Sequence, residues 1–147
     1  MTSSFVQLHV HSSYSPMAGI PSLPALCLAA QQQGASALAL TDTNGLYGII
    51  RFVQLAREGG FRPLIGTELV HRHHRAVLLA ASADGYSNLC RLISARHCDE
   101  HFDFIDAVRT HRHVAKHKRL AVALDDLKRR FGSMVVKWGG STGRGEK

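Results

Sequence analysis

Phe5-Val-Gln-Leu-His-Val-His-Ser-Ser-Tyr-Ser15 is the stretch on which the reading of this chain turns. Phe5 to about Val10 has the apolar and β-branched content of a short strand. Side chains on a strand alternate between faces, so residues two apart project together. His9 and His11, at the strand's carboxyl end, therefore point the same way and can share one metal ion. A lone His-x-His also occurs as two polar residues on a half-exposed strand. The segments that follow decide between these readings.

Beyond Ser15, Pro16, Gly19 and Pro21 mark a loop. Ser22 is placed to cap a helix from Leu23 to about Gln33, with Pro24 in its first turn and Gly34 at its end. Ala37-Leu-Ala-Leu40 is a continuous apolar run, the pattern of a strand covered on both faces. Asn44 is expected to cap a second helix from about Leu46 to Glu58, stopped by Gly59-Gly60. Arg62 to Val70 and Arg75 to Ala81 read as two more strands. Asp84 is expected to cap a helix carrying Tyr86, Leu89 and Ile93 at helical spacing. Strand and helix alternate, which predicts a parallel α/β layout.

In such layouts functional groups collect at the carboxyl ends of the strands. Three successive strand ends carry His9 with His11, then Asp42, then Glu68. Two imidazoles and two carboxylates suit Zn²⁺, Mn²⁺ or Fe²⁺, which accept mixed nitrogen and oxygen ligands. Taken singly, Asp42 also reads as a turn residue bonding its own backbone, and Glu68 as a solvated strand residue. Their shared position at consecutive strand ends favours a divalent-metal site made of His9, His11, Asp42 and Glu68.

Composition bounds the alternatives. A chain of 147 residues is one domain, with or without a short appendage. No apolar run reaches the roughly 18 residues a membrane span needs, and the amino terminus lacks the features of a secretory signal. Cys27, Cys90 and Cys98 are an odd number without close spacing, so no disulfide framework is expected. These features predict a cytoplasmic protein with no membrane partner. The net charge of +7 divides unevenly: residues 1–108 hold seven Arg, no Lys and eight acids, whereas residues 109–147 hold eleven Lys and Arg against three acids. That shift predicts a boundary near residue 105, with a domain over 5–105 and a basic helical extension and tail over 106–147.

In the extension, Leu120, Leu124, Leu127 and Phe131 form an apolar stripe at helical spacing, closed by Gly132. Lys128, Arg129 and Arg130 in its last turn are candidate nucleic-acid contacts, since positive charge attracts phosphate without regard to sequence. The alternative is a closing helix that covers a sheet edge. Leu120 to Gly139 is similar, over a short span, to the tail of Y-family translesion polymerases. Of the other histidines, His71, His73 and His74 lie in an Arg-rich hairpin or connection, and His97 and His101 share an exposed helix face.

The runs Phe5–Ser15, Ala37-Leu-Ala-Leu-Thr-Asp-Thr-Asn-Gly-Leu-Tyr-Gly48, Arg62-Pro-Leu-Ile-Gly-Thr-Glu68 and Asp84–Ser94 together resemble the PHP domain (polymerase and histidinol phosphatase). The match is to the version at the amino terminus of bacterial DNA polymerase III alpha subunits and error-prone polymerases, and covers about residues 5–101. The resemblance implies a distorted (β/α)7 barrel, of which this chain supplies about the first half. It also implies up to three metal ions and phosphoesterase or 3′–5′ exonuclease chemistry. It places the first motif on His9 and His11, the second on Asp42, and a Gly-x-Glu motif on Gly66 and Glu68. Ala18 stands where the family commonly has Asp, and Thr43 where it has His. Arg75 stands where a His often opens the next strand, with His74 one residue earlier and so on the opposite face.

Two functions are therefore expected from different classes. One is a polymerase-related PHP fragment whose metal-dependent chemistry is weakened or lost. It would bind DNA or a phosphate ester, pair with a polymerase subunit or self-associate, and hold metal at reduced occupancy. The alternative is an active metal-dependent phosphoesterase, or a non-catalytic nucleic-acid- or polymerase-binding module.

Overall fold

The structure is a computed structural model and describes residues 5–114. The predicted extension beyond residue 114, with Lys128, Arg129 and Arg130, lies outside the described residues. In chain order the elements are α1 (Leu23–Gln32), β1 (Ala37–Leu40), α2 (Ile49–Glu58), β2 (Arg62–His71), β3 (His74–Leu79), α3 (Ala83–Cys98) and α4 (Phe104–Val114). They form an α/β fold around a sheet of order β1-β2-β3.

β1 is buried along its whole length and pairs in parallel with β2, Ala37 opposite Arg62 and Leu40 opposite Ile65. The same pairing reappears past the strand end as a bridge between Thr43 and Glu68. On the other edge of β1 the amino-terminal segment runs parallel through a single bridge, Gln7 to Leu38. The predicted strand Phe5–Val10 is thus an extended segment with little regular ladder. At Val10 a main-chain bond and a side chain share the last position: the Thr41 amide donates to the Val10 carbonyl (2.8 Å), and the Val10 amide donates to Thr41 Oγ1 (2.9 Å). Even so, the segment's carboxyl end lies beside those of β1 and β2.

The uniformly parallel layout is corrected at β3, which pairs antiparallel with β2 from Gly66–Leu79 to His71–His74. Only Arg72 and His73 separate the strands, too few for the dozen-residue crossover that a parallel partner requires. Arg72 takes a left-handed conformation (φ 53°) to close this hairpin.

Two cores hold the sheet. α1 and α2 meet β1 through Leu23, Cys27, Leu38, Leu40, Ile49 and Phe52. α3 and α4 cover one face of the hairpin through Leu69, Leu92, Phe102, Phe104 and Val108. Burying a side chain of the Leu or Phe class contributes about 1.5–3 kcal/mol, so these contacts outweigh any single polar interaction at the strand ends. Ser22 caps α1 as expected, accepting from the Ala25 amide. α3 is capped by Ser82 rather than Asp84, which sits in its first turn. α2 begins at Ile49 without a side-chain cap, because Asn44 is engaged elsewhere. Asn44 is left-handed (φ 51°), and its amide donates to the Val70 carbonyl (3.1 Å) and accepts from the Val70 amide (2.7 Å). It stitches the β1 exit to β2 instead of starting a helix.

Candidate metal centre at the strand ends

His9, His11 and Glu68 converge past the end of β1, where the amino-terminal segment ends on one side and β2 continues on the other. The two imidazole Nε2 atoms are 2.9 Å apart. Glu68 Oε1 lies 3.5 Å from His9 Nε2, and Oε2 lies 3.4 Å from His11 Nε2. Four-coordinate Zn²⁺ with ligands at 2.0–2.1 Å sets neighbouring ligand atoms ~3.3 Å apart, close to the separations found here. The Glu68 side chain is buried (4% exposed), whereas that of His9 is half open (47%). Its Oε1 has no hydrogen-bond partner among the described residues. An unsatisfied buried acceptor is costly, more so on a carboxylate, and a cation between the imidazoles would satisfy it. The donor set fits a divalent ion.

Burial pushes the His9 imidazole below its usual pKa, an effect opposed by Glu68 and reinforced by the neighbouring His11 and Arg75. The direction favours the neutral, ligating form.

Asp42, the fourth expected ligand, stands behind this cluster with its oxygens committed. Oδ1 accepts from the Ser12 amide (2.7 Å) and the Ser15 hydroxyl (2.6 Å), and Oδ2 accepts from the Ser12 hydroxyl (2.7 Å). All three residues are buried. Because the Ser15 hydroxyl gives its proton to Asp42, it can only accept from the His11 Nδ1 lying 3.0 Å away. It also accepts from the Thr43 amide (2.9 Å). Neutral His11 then carries its proton on Nδ1 and turns a bare Nε2 toward His9 and Glu68. This is the outer-sphere arrangement by which proteins orient ligating histidines.

The loop that supplies the two serines is tightly folded. The Ser15 carbonyl accepts from the Ala18 and Gly19 amides. A Cβ on Gly19 would collide with the Ser12 carbonyl oxygen, so only glycine fits there. Ser12 and Ser15 were not singled out from the sequence. The signal available was a pair of hydroxyls three apart, directly after the His-x-His and before a loop.

Thr43 and Arg75 complete the rim. The Thr43 hydroxyl is 3.4 Å from Glu68 Oε2 and 3.4 Å from His11 Nδ1. Arg75 Nη1 is 3.4 Å from Glu68 Oε1, with its side chain 65% exposed. Ala18 is exposed in the loop. His74, next to Arg75, faces the other way and stacks on Phe104 (ring centroids 5.3 Å, 20°), while His71 meets Phe102 edge to face. His97 bonds the Asn44 carbonyl through Nε2 (2.9 Å), and His101 is exposed. The three cysteines are free.

These features define an α/β domain that gathers nitrogen and oxygen ligands at the carboxyl ends of adjacent parallel segments. The chain belongs to the PHP domain family, whose sequence model matches residues 7–137 and so extends past both residue 101 and the charge boundary near 105. It is 45% identical over 95 residues to an error-prone DNA polymerase of Symbiobacterium thermophilum, covering 64% of this chain and 9% of that protein. It is 40% identical over 102 residues to an error-prone DNA polymerase of Anaeromyxobacter sp., covering 65% and 9%. A DNA polymerase III subunit alpha of Buchnera aphidicola is 38% identical over 97 residues, covering 61% and 8%. The chain thus spans under a tenth of the length of these relatives.

Among solved structures, an amidohydrolase from Chromobacterium violaceum aligns over 63% of this chain and 36% of that one (26% identity, TM-score 0.46). A Bifidobacterium adolescentis protein described as a metal-dependent phosphoesterase aligns over 85% and 50% (18% identity, TM-score 0.43). No helix among the described residues is long and apolar enough to cross a membrane.

Proposed function

We infer that this chain is a polymerase-related PHP module, the first half of a PHP-type barrel, that holds one divalent ion through His9, His11 and Glu68. The observation that carries this reading is the buried Glu68 carboxylate, with Oε1 3.5 Å from His9 Nε2, Oε2 3.4 Å from His11 Nε2 and no hydrogen bond to Oε1 among the described residues. Asp42 supports the site through Ser12 and Ser15 rather than contributing a bond of its own. Zn²⁺, Mn²⁺ and Fe²⁺ all accept this donor set.

Such an ion, when bound, supplies Lewis acidity toward a phosphoryl group and makes water acidic enough to serve as a nucleophile near neutral pH. This chain's residues hold and orient: His11 is fixed by Ser15, Glu68 supplies the anionic ligand, and Thr43 donates a hydrogen bond to Glu68. Thr43 and Ala18 offer no strong ligand for further ions. The ancestral phosphoesterase or exonuclease chemistry is accordingly weakened or lost, and the module acts as a binding element in a replication or repair polymerase context within the cytoplasm.

Metal analysis of the purified chain beside a His9→Ala, His11→Ala variant tests this reading. About one equivalent in the parent and none in the variant is the expected result. Equal metal in both refutes the site.

A further inference from the structure

We propose that Arg75 is the anion-holding group of this centre, placed to grip a phosphoryl oxygen of the ligand beside the divalent ion. The inference rests on the metal reading above and adds to it the group that receives substrate.

Access is the first consideration. Among the charged and imidazole side chains at the rim, Glu68 is 4% and His11 15% exposed, whereas His9 is 47% and Arg75 65% exposed. The site is therefore open on the side bounded by His9 and Arg75. A ligand reaching the ion from solvent passes the guanidinium first.

Register is the second. Val70 is opposite Arg75 and Glu68 opposite Val77 in the hairpin, so Arg75 and Glu68 are diagonal neighbours on one face. The opposite face is occupied by Leu69, Ala76 and the α3–α4 core. Arg75 thus arises from the same pairing that positions Glu68, and a shift of one residue would bury it against Phe104 in place of His74.

Chemistry is the third. Arg75 Nη1 lies 3.4 Å from Glu68 Oε1, beyond a close charge-assisted hydrogen bond. Glu68 Oε1 has no hydrogen bond among the described residues, and the guanidinium carries five donors on a mostly exposed side chain. When Glu68 is engaged by a cation, the guanidinium is left with a planar donor fork at the entrance. Tetrahedral phosphoryl oxygens match that fork in pairs, and a lysine ammonium would not. The ion and the guanidinium together give the mouth a positive charge that two imidazoles and one carboxylate do not cancel, which selects an anion.

The test uses the full chain, loaded with Zn²⁺ and titrated with inorganic phosphate, followed by ³¹P line broadening. Zn²⁺ uptake is first measured by calorimetry in phosphate-free buffer. Arg75→Ala is expected to weaken phosphate binding by about 10–100-fold, the loss of a charge-assisted contact, without lowering Zn²⁺ affinity. Arg75→Lys is expected to recover only part of the loss. Phosphate binding unchanged in Arg75→Ala overturns the assignment while leaving the metal reading intact. Absence of Zn²⁺ uptake by the parent chain overturns both.

Discussion

Asp42, just past the end of β1, and Glu68, within β2 beside the β1 exit, are both buried carboxylates, yet their surroundings differ. Around Asp42 two serines close in, and both oxygens are engaged at 2.6–2.7 Å. Around Glu68 one oxygen accepts only a long bond from Thr43, and the other has no hydrogen-bond partner among the described residues. A buried charge must be met by donors or by a cation. Asp42 is met within the fold and so helps hold it together. Glu68 is met only at a distance, by Arg75 and Thr43 at 3.4 Å, and on the reading proposed above a bound cation completes its surroundings.

Exchanging the charge at each position separates these roles most sharply. Glu68→Gln is expected to lower divalent-metal affinity by about 100-fold or more, beyond the 10–100-fold typical of outer-sphere changes, with the fold kept. Calorimetry with Zn²⁺ measures the first and urea unfolding the second. Asp42→Asn is expected to destabilise the metal-free chain by about 2–4 kcal/mol, because an amide cannot accept from all three donors and leaves a buried group unsatisfied. If Asp42→Asn lost metal without losing stability, Asp42 would have to be counted as a direct ligand.

Ser15→Ala probes the link between the two carboxylates. It removes the acceptor for His11 Nδ1 and for the Thr43 amide, and should weaken metal binding by about 10-fold, the lower end for an outer-sphere partner. In the metal-free chain, ¹⁵N chemical shifts of His11 should move away from the pattern of an Nδ1-protonated ring. A shift pattern identical to the parent's would remove Ser15 from that role.

The smallest effect expected is in pH. With its folded pKa below the free value of 6.5, His9 binds fewer protons folded than unfolded between those two values. Stability must therefore rise with pH through that window and decline as pH drops from 6.5 toward the lower folded value. Metal uptake should persist to lower pH than it would for a free imidazole. Calorimetric titrations between pH 5.5 and 7.5 would reveal it, and metal release centred above 6.5 would contradict it.

Much of this arrangement was legible in the residues. The alternation rule placed His9 and His11 together, and the apolar run Ala37–Leu40 and the glycines after α1 and α2 marked the elements around them. Alternation also separated Arg75 from His74. What stayed hidden depends on hydrogen-bond partners distant in sequence. The three hydrogen bonds that Asp42 accepts from Ser12 and Ser15, about 30 residues earlier, leave no mark in its local sequence. Asn44 reads as a helix cap until its amide is found on Val70. The direction of β3 was written in the two-residue gap at Arg72 and His73, but a strand pattern by itself carries no direction.

The tight turn at Arg72 and His73 has an evolutionary consequence. Because neighbouring positions on β3 face opposite sides, one codon gained in the turn would carry His74 to the place opposite Val70 and turn Arg75 toward the core face. On the proposed reading of Arg75, that single insertion exchanges an anion-holding group for a third nitrogen donor. The same step turns Ala76 and Leu78 out of the core beneath α3 and α4, so the new chemistry carries a packing cost.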